Sequence, residues 1–267
     1  PMKDAFYKQT LDKLIEYLIV GNNPIANKTY HENKDLALNQ TLQSNLLSDK
    51  RLKILEQNKD VESLRMNFVL SLHKQYQSNY KKFRYYTVKP TARHREYKEA
   101  INRLVKQGYL NRVDSVEGYF KIFFKDPALL INQMRLDYLR MIVNRQLPST
   151  VMETYVVSCL KTIPDYNLNY VMTKSKNITP YVLSHNNDNE SYGIFVGGGH
   201  PQKFIKNIMS IHSLNMAIKI GNHNINYCDN DRILSLPIFM TDHIFDFINK
   251  VKTQLLVSFI NELIIVF

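Results

Sequence analysis

The stretch Gly193-Ile-Phe-Val-Gly-Gly-Gly-His-Pro-Gln-Lys203 holds four of the chain's eight glycines and follows them with a histidine and a lysine. Three roles suit such residues. A run of glycine amides can cradle a phosphate, a glycine turn can simply reverse the chain, and a strand ending in such a turn can carry an active site. A second set lies between His73 and Lys98, where eight Lys or Arg accompany one acid, Glu96. They alternate with Tyr76, Tyr80, Phe83, Tyr85, Tyr86 and Tyr97. Cations mixed with aromatic rings suit a nucleic-acid backbone and its stacked bases. The candidate contacts are Lys81, Lys82, Arg84, Lys89, Arg93, Arg95 and Lys98. A solvated charged loop ahead of a helix has the same composition.

Other chemistries find no support. Gly21 to Thr29 ends in Lys-Thr like a phosphate-binding loop, but Asn27 precedes Lys28 where glycine is needed, and a helical pattern precedes the loop where a strand is needed. No nucleotide is therefore expected. His94, His185, His212, His223 and His243 lack the spacing of a helical zinc site, and no G-x-S-x-G elbow is present. Cys159 and Cys228 form neither a CxxC pair nor a four-ligand zinc set.

With 267 residues, 44% hydrophobic and 22% charged, the chain reads as globular, not disordered. Its formal charge of +11 favours anionic partners, nucleic acid first and anionic membrane second. Lys3, Asp4, Lys8, Asp12, Lys13 and Glu16 interrupt the opening segment, so no secretory leader and a cytoplasmic location are expected; leaderless secretion stays open. The apolar tail 255–267 is too short to span a bilayer and is expected to be a buried terminal helix or strand.

These residues need elements to position them. Residues 3–20 repeat apolar side chains at helical spacing, and Gly21-Asn-Asn-Pro24 stops the helix. Residues 31–80 are polar and helical in pattern. Arg93 to Lys106 is predicted to be an amphipathic helix, followed by strands at 109–113 and 119–124 joined by a turn that carries Asp114 and Glu117. Helix, strand, turn, strand is the closing half of a winged helix, a module that docks on DNA or on proteins. Further helices are predicted at 129–143 and 151–162. From Asn167 the period changes to two, giving strands at 168–173, 179–184, 192–196, 215–220 and 233–239, with a helix at 202–211.

This order resembles a bacterial and archaeal ATPase family whose members end in a winged helix followed by a restriction-endonuclease-like domain. YKEAINRLVKQGYLNRV (97–113) is similar to the family's helix and wing, and YFKIFFKDPALL (119–130) to its next strand and turn. ETYVVSCL (153–160) resembles the helix that opens the nuclease-like domain, YGIFVGGGHPQKFIKNI (192–208) its strand-turn-helix, and ILSLPIFM (233–240) its closing strand. The likeness covers residues 90–245 and omits the ATPase half.

The resemblance implies an α+β or α/β chain in three parts: helices over 2–80, a winged helix over 81–145, and a nuclease-like mixed sheet over 146–267. Such nucleases hold a divalent metal between carboxylates on adjacent strands, with a lysine beside the second. Those positions fall near Pro180, at Phe195 and at Gly197, so the usual set is absent. A rearranged site would draw on Glu153, Asp188, Glu190, His200 and Lys203, with Glu153, Glu190 and His200 holding Mg²⁺ or Mn²⁺. Glu153 and His200 would face each other across the metal. The implied readings are a metal-dependent DNA endonuclease, an inactive DNA-binding relative, or a secreted effector that binds a host protein. A homo-oligomer is compatible with each.

Overall fold

The first strong stop signal, Gly21-Asn-Asn-Pro24, separates two helices: α1 (Asp4–Val20) and α2 (Pro24–Asn33), the second capped by the Asn23 side chain on the amides of Ile25 and Ala26. In this computed structural model the described residues are 2–58, 60–72, 76, 81–173 and 179–253. The apolar tail 255–267 lies outside them. Two more helices, α3 (Leu36–Asn58) and α4 (Val61–Ser71), complete the N-terminal region. Asp60 starts α4 by accepting from the Ser63 amide at 2.8 Å.

The predicted helix and hairpin are α5 (His94–Lys106), β1 (Leu110–Ser115) and β2 (Phe120–Phe124). Tyr97, Ala100, Ile101 and Leu104 form the buried stripe of α5. The single helix expected over 129–143 is two, α6 (Pro127–Gln133) and α7 (Tyr138–Asn144). Between them Arg135 adopts φ 50° and Asp137 caps α7 by accepting from the Arg140 amide. Apolar spacing carries through this turn without signalling the break.

Next come α8 (Ser149–Leu160), β3 (Tyr166–Tyr170), β4 (Tyr181–His185), β5 (Ser191–Val196), α9 (Gln202–Ile211), β6 (Met216–Gly221), β7 (Asn226–Cys228) and β8 (Ile233–Pro237). A last helical segment, α10, covers 244–253. β7 is three residues long and carries no readable alternation, so the sequence does not announce it.

All eight strands join one mixed sheet in the order β2-β1-β3-β4-β5-β6-β8-β7. β3, β4 and β5 form an antiparallel meander, and β5, β6 and β8 run parallel. β1 pairs parallel with β3 through Asp114↔Asn169 and Ser115↔Tyr170. The sheet therefore crosses the boundary expected near residue 145. The N-terminal helices dock on the same body. Gly21, at φ 81°, lies so close to α6 that a Cβ there would stand 2.6 Å from the Ala128 Cβ.

The sheet is covered on both faces, which explains why its inner strands read as near-continuous apolar runs. One face packs Tyr181, Leu183, Tyr192, Ile194, Ile218, Ile220, Leu234 and Leu236 into the main core with α8 and the N-terminal helices. The other packs Val182, Phe195, Ala217 and Ile233 against Ile205, Ile208 and Met209 of α9. No helix among the described residues is long and apolar enough to cross a membrane.

Candidate functional site

Glu153 sits in the second turn of α8, inside the protein. Lys121 of β2 donates to its Oε2 at 3.1 Å, with the two side chains 3% and 9% exposed. Tyr181 of β4 is fully buried, and its phenol lies close enough to Glu153 for each group to shift the other. Burial pushes the Glu153 carboxyl above its ordinary range, while the Lys121 charge and hydrogen bond pull it back. Burial likewise pushes the Tyr181 phenol well up, and the Glu153 charge adds to this. A lysine inside the apolar run Phe120-Lys-Ile-Phe-Phe124 is the one sequence signal for this partner, and it passes unnoticed when the strand is read as core.

The expected metal site does not assemble around Glu153. On β5 the residues sharing its face are Tyr192 and Ile194, and Ile194 pairs with Tyr181. Phe195, the position implied for the second carboxylate, points to the α9 face. His200 is on that face too, its ring 5.7 Å from the Phe195 ring. Glu153 and His200 are thus on opposite sides of the sheet, not facing each other. The reason is parity: successive strand residues alternate faces.

Asp188 and Glu190 lie in the β4–β5 turn, at the start of β5, whereas His200 follows its end. Six strand residues at about 3.3 Å each put roughly 20 Å between the two ends. Glu190 accepts from Tyr192 at 2.7 Å and from Lys252 at 2.5 Å, and the Lys252 hydrogen bond first of all holds its carboxyl below the ordinary range. Asp188 is in contact with His185 at 3.1 Å. Lys203 is exposed at the start of α9. Glu153, Glu190 and His200 are not brought together. Among the described residues no three His, Cys, Asp or Glu side chains gather at metal-binding distance.

The glycine run turns the chain out of β5. Gly197 and Gly199 take φ 91° and 82°, and the Gly197 amide donates to Ile220 at 2.8 Å, so the run closes the end of β5 against β6. Beside it a cavity of about 600 Å³ opens at the C-terminal ends of these parallel strands, lined by Arg140, Gln146, Ser149, Met152, Gly198 and His223. In open α/β sheets this end is where ligands enter. Arg140 and His223 come from elements too far apart in sequence to be read as a pair.

The basic segment divides into two groups. Lys81 is half-buried and donates to the carbonyl and hydroxyl of Thr173, so it braces β3. Burial lowers its pKa, with the Lys121 charge second. Of the others, Lys82 is partly buried and Arg84 and Lys89 are exposed. Lys82 lies 4.0 Å from the centre of the Tyr119 ring, and Arg84 donates to the Tyr86 hydroxyl at 2.8 Å. Arg93, Arg95 and Lys98 are exposed, as are Asn102 and Lys106 further along α5. Lys89 stands 4.0 Å from Glu96, which also accepts from the Arg93 amide. The acids of the β1–β2 turn are engaged as well: Asp114 pairs with Arg112, and Glu117 accepts from the Met172 amide at 3.1 Å. No family model, no curated protein and no solved structure matches this chain.

Proposed function

We propose that this chain binds DNA through the outer face of α5 and the cation–aromatic pairs before it, on a nuclease-like scaffold that does not cut. The observation that carries the reading is the stripe Arg95, Lys98, Asn102 and Lys106, spaced three or four residues apart along the exposed side of α5. Arg95, Lys98 and Lys106 make no ion pair or hydrogen bond among the described residues. The acids on the helix are already neutralised, Glu96 as above and Glu99 by Arg103 at 3.1 Å. Phosphate contacts of this kind position a protein on DNA without reading its sequence. The Lys82–Tyr119 and Arg84–Tyr86 pairs add ring faces on which an unpaired base can stack.

Two features support the scaffold. The helix-and-hairpin of α5, β1 and β2 has the order of a winged helix, its turn tied to β3. The succession α8, β3, β4, β5, α9, β6, with an antiparallel meander and then a parallel strand, has the order of a restriction-endonuclease-like core. The burial and pairing of Glu153 favour the non-cutting form. A hydrolytic site needs a carboxylate that reaches a metal and a phosphate.

The test is anisotropy of a labelled duplex across a salt series, with a parallel incubation in Mg²⁺ or Mn²⁺. The expected results are a log–log salt slope of about −0.9 per phosphate neutralised and no divalent-dependent cleavage. Salt-independent affinity, or no binding at low salt, overturns the DNA reading and points to a protein partner. Cleavage that EDTA abolishes overturns the non-cutting one.

A further inference from the structure

Segment 81–89 ties the edge of the sheet to the start of α5. The Phe83 amide donates to the Phe120 carbonyl at 2.7 Å, so the segment lies along β2, the edge strand. The Phe83 and Phe120 rings are buried and stacked, with centroids 5.4 Å apart. Further on, the Tyr85 ring meets the Phe120 ring at 6.4 Å and the His94 ring, at the start of α5, at 5.7 Å. Lys89 reaches Glu96 in the first turn of the same helix. The start of β2, the start of α5 and this segment therefore meet in one place. The exposed stripe of α5 runs away from it, from Arg95 to Lys106.

Two rings stand in solvent on this buried base. Tyr86 is 57% exposed and Tyr119 is 42% exposed. Each has a cation beside it: the Arg84 guanidinium is 6.0 Å from the centre of the Tyr86 ring, and the Lys82 ammonium is 4.0 Å from that of Tyr119. The acids of the adjoining turn are occupied, Asp114 by Arg112 and Glu117 by the Met172 amide. An exposed ring with a cation next to it suits a nucleotide whose base is free to stack and whose phosphate is close by.

A closed duplex cannot use such rings. Its base faces are covered by neighbouring pairs, and uncovering one means breaking both stacking and pairing. The α5 stripe, by contrast, asks only for backbone phosphates. Together the two features fit DNA that passes from paired to unpaired at the start of α5. We propose that the substrate class is a duplex with a single-stranded tail, its paired phosphates on the α5 stripe and its first unpaired bases stacked on Tyr86 and Tyr119. This inference rests on the reading of α5 as a duplex-binding face.

The test is anisotropy of the full chain, at one ionic strength, with four labelled probes: a blunt duplex, the same duplex with a thymine tail of about six nucleotides, the same duplex with an abasic tail of equal length, and a thymine single strand. The tail is placed on the 3′ end in one series and on the 5′ end in another. An abasic tail carries the phosphates without the bases, so the ratio of the two tailed affinities isolates stacking. In at least one series the thymine tail is expected to bind about tenfold more tightly than the abasic one. In Tyr86→Leu/Tyr119→Leu that ratio should fall to about one. A fluorescent base analogue, 2-aminopurine, at the first unpaired position covers the case in which the variant does not fold: the unmodified protein should quench it, and should not quench the same analogue at the middle of the duplex. Salt-dependent binding of the blunt duplex with equal affinities for the two tails in both series leaves the α5 reading standing and overturns this one. A ratio that survives in the double variant, an analogue that is not quenched, or a single strand bound as tightly as the tailed duplex also overturns it. Binding of none of the probes overturns both.

Discussion

Lys121 on β2 and Glu153 on α8 form an ion pair 3.1 Å long in the interior, joining the first hairpin of the sheet to the helix that covers it. Desolvating both charges is costly, and their attraction offsets that cost only while both partners are present. Lys121→Met is therefore expected to destabilise the protein by about 3–5 kcal/mol in chemical denaturation, by leaving a buried carboxylate alone. The double variant Lys121→Met/Glu153→Leu should recover most of that loss.

The same pair predicts a pH dependence. Burial, opposed by the Lys121 charge and hydrogen bond, leaves the Glu153 carboxyl above its ordinary value in the folded state, so ionising it costs more there than in the unfolded chain. A group of this kind supports folding below its ordinary pKa and loses that contribution as pH rises through the raised value. With Lys121 gone, the deficit of Lys121→Met should grow as pH rises through and above the carboxylate range and shrink toward acid. A deficit that is flat with pH would assign the loss to packing and not to charge.

Two histidines at the ends of the parallel strands act in the other direction. His200 and His223 bond the carbonyls of Val196 and Lys219 through Nε2, and burial is the main cause that lowers the pKa of each. Folding then favours the neutral rings. Their contribution is present above the ordinary imidazole value of 6.5 and is lost as pH falls through the lowered folded values. The melting temperature should drop as pH falls below that value, and His223→Gln should make the drop shallower. An unchanged profile in that variant would show that His223 does not titrate with folding.

The glycines separate strain from space. Gly21→Ala places a Cβ against Ala128 at a positive φ and is expected to cost about 2 kcal/mol or more. Gly199 has a positive φ of 82° but open surroundings, so Gly199→Ala should cost about 1–2 kcal/mol. Gly198 has neither constraint, and Gly198→Val should stay within about 0.5 kcal/mol of the parent. Melting temperatures of the three variants rank them directly, and a Gly198 variant as damaged as the Gly21 one would contradict this order.

On α5, Arg95→Glu/Lys98→Glu should weaken duplex binding, with the melting temperature nearly unchanged. The salt slope should become shallower by about 0.9 for each phosphate that is no longer neutralised. Lys81→Met should do the reverse. Its ammonium is spent on Thr173, so its removal should lower stability and leave the slope alone. Equal effects of the two changes on the slope would return Lys81 to the interface.

Local pattern alone determined the elements with a strong period or a strong stop. The apolar stripe of α5 at three-to-four spacing, the stop at Gly21-Asn-Asn-Pro24 and the short apolar runs within Tyr181–His185 and Ser191–Val196 are features of neighbouring residues, and each element formed where that pattern lay. The excess of cations between Lys81 and Lys98 was also visible, but not which of them face solvent. Tertiary structure decided that, along with most of the candidate site. Glu153 reads as a free acid at a helix start until β2 brings Lys121 beside it from 32 residues away. His200 reads as a partner for Glu153 until strand parity places it with Phe195 on the far face. Backbone periodicity fixes which side of its own element a residue takes. Which residue meets it across the core depends on strand order and helix docking, and no local spacing in this chain encodes those.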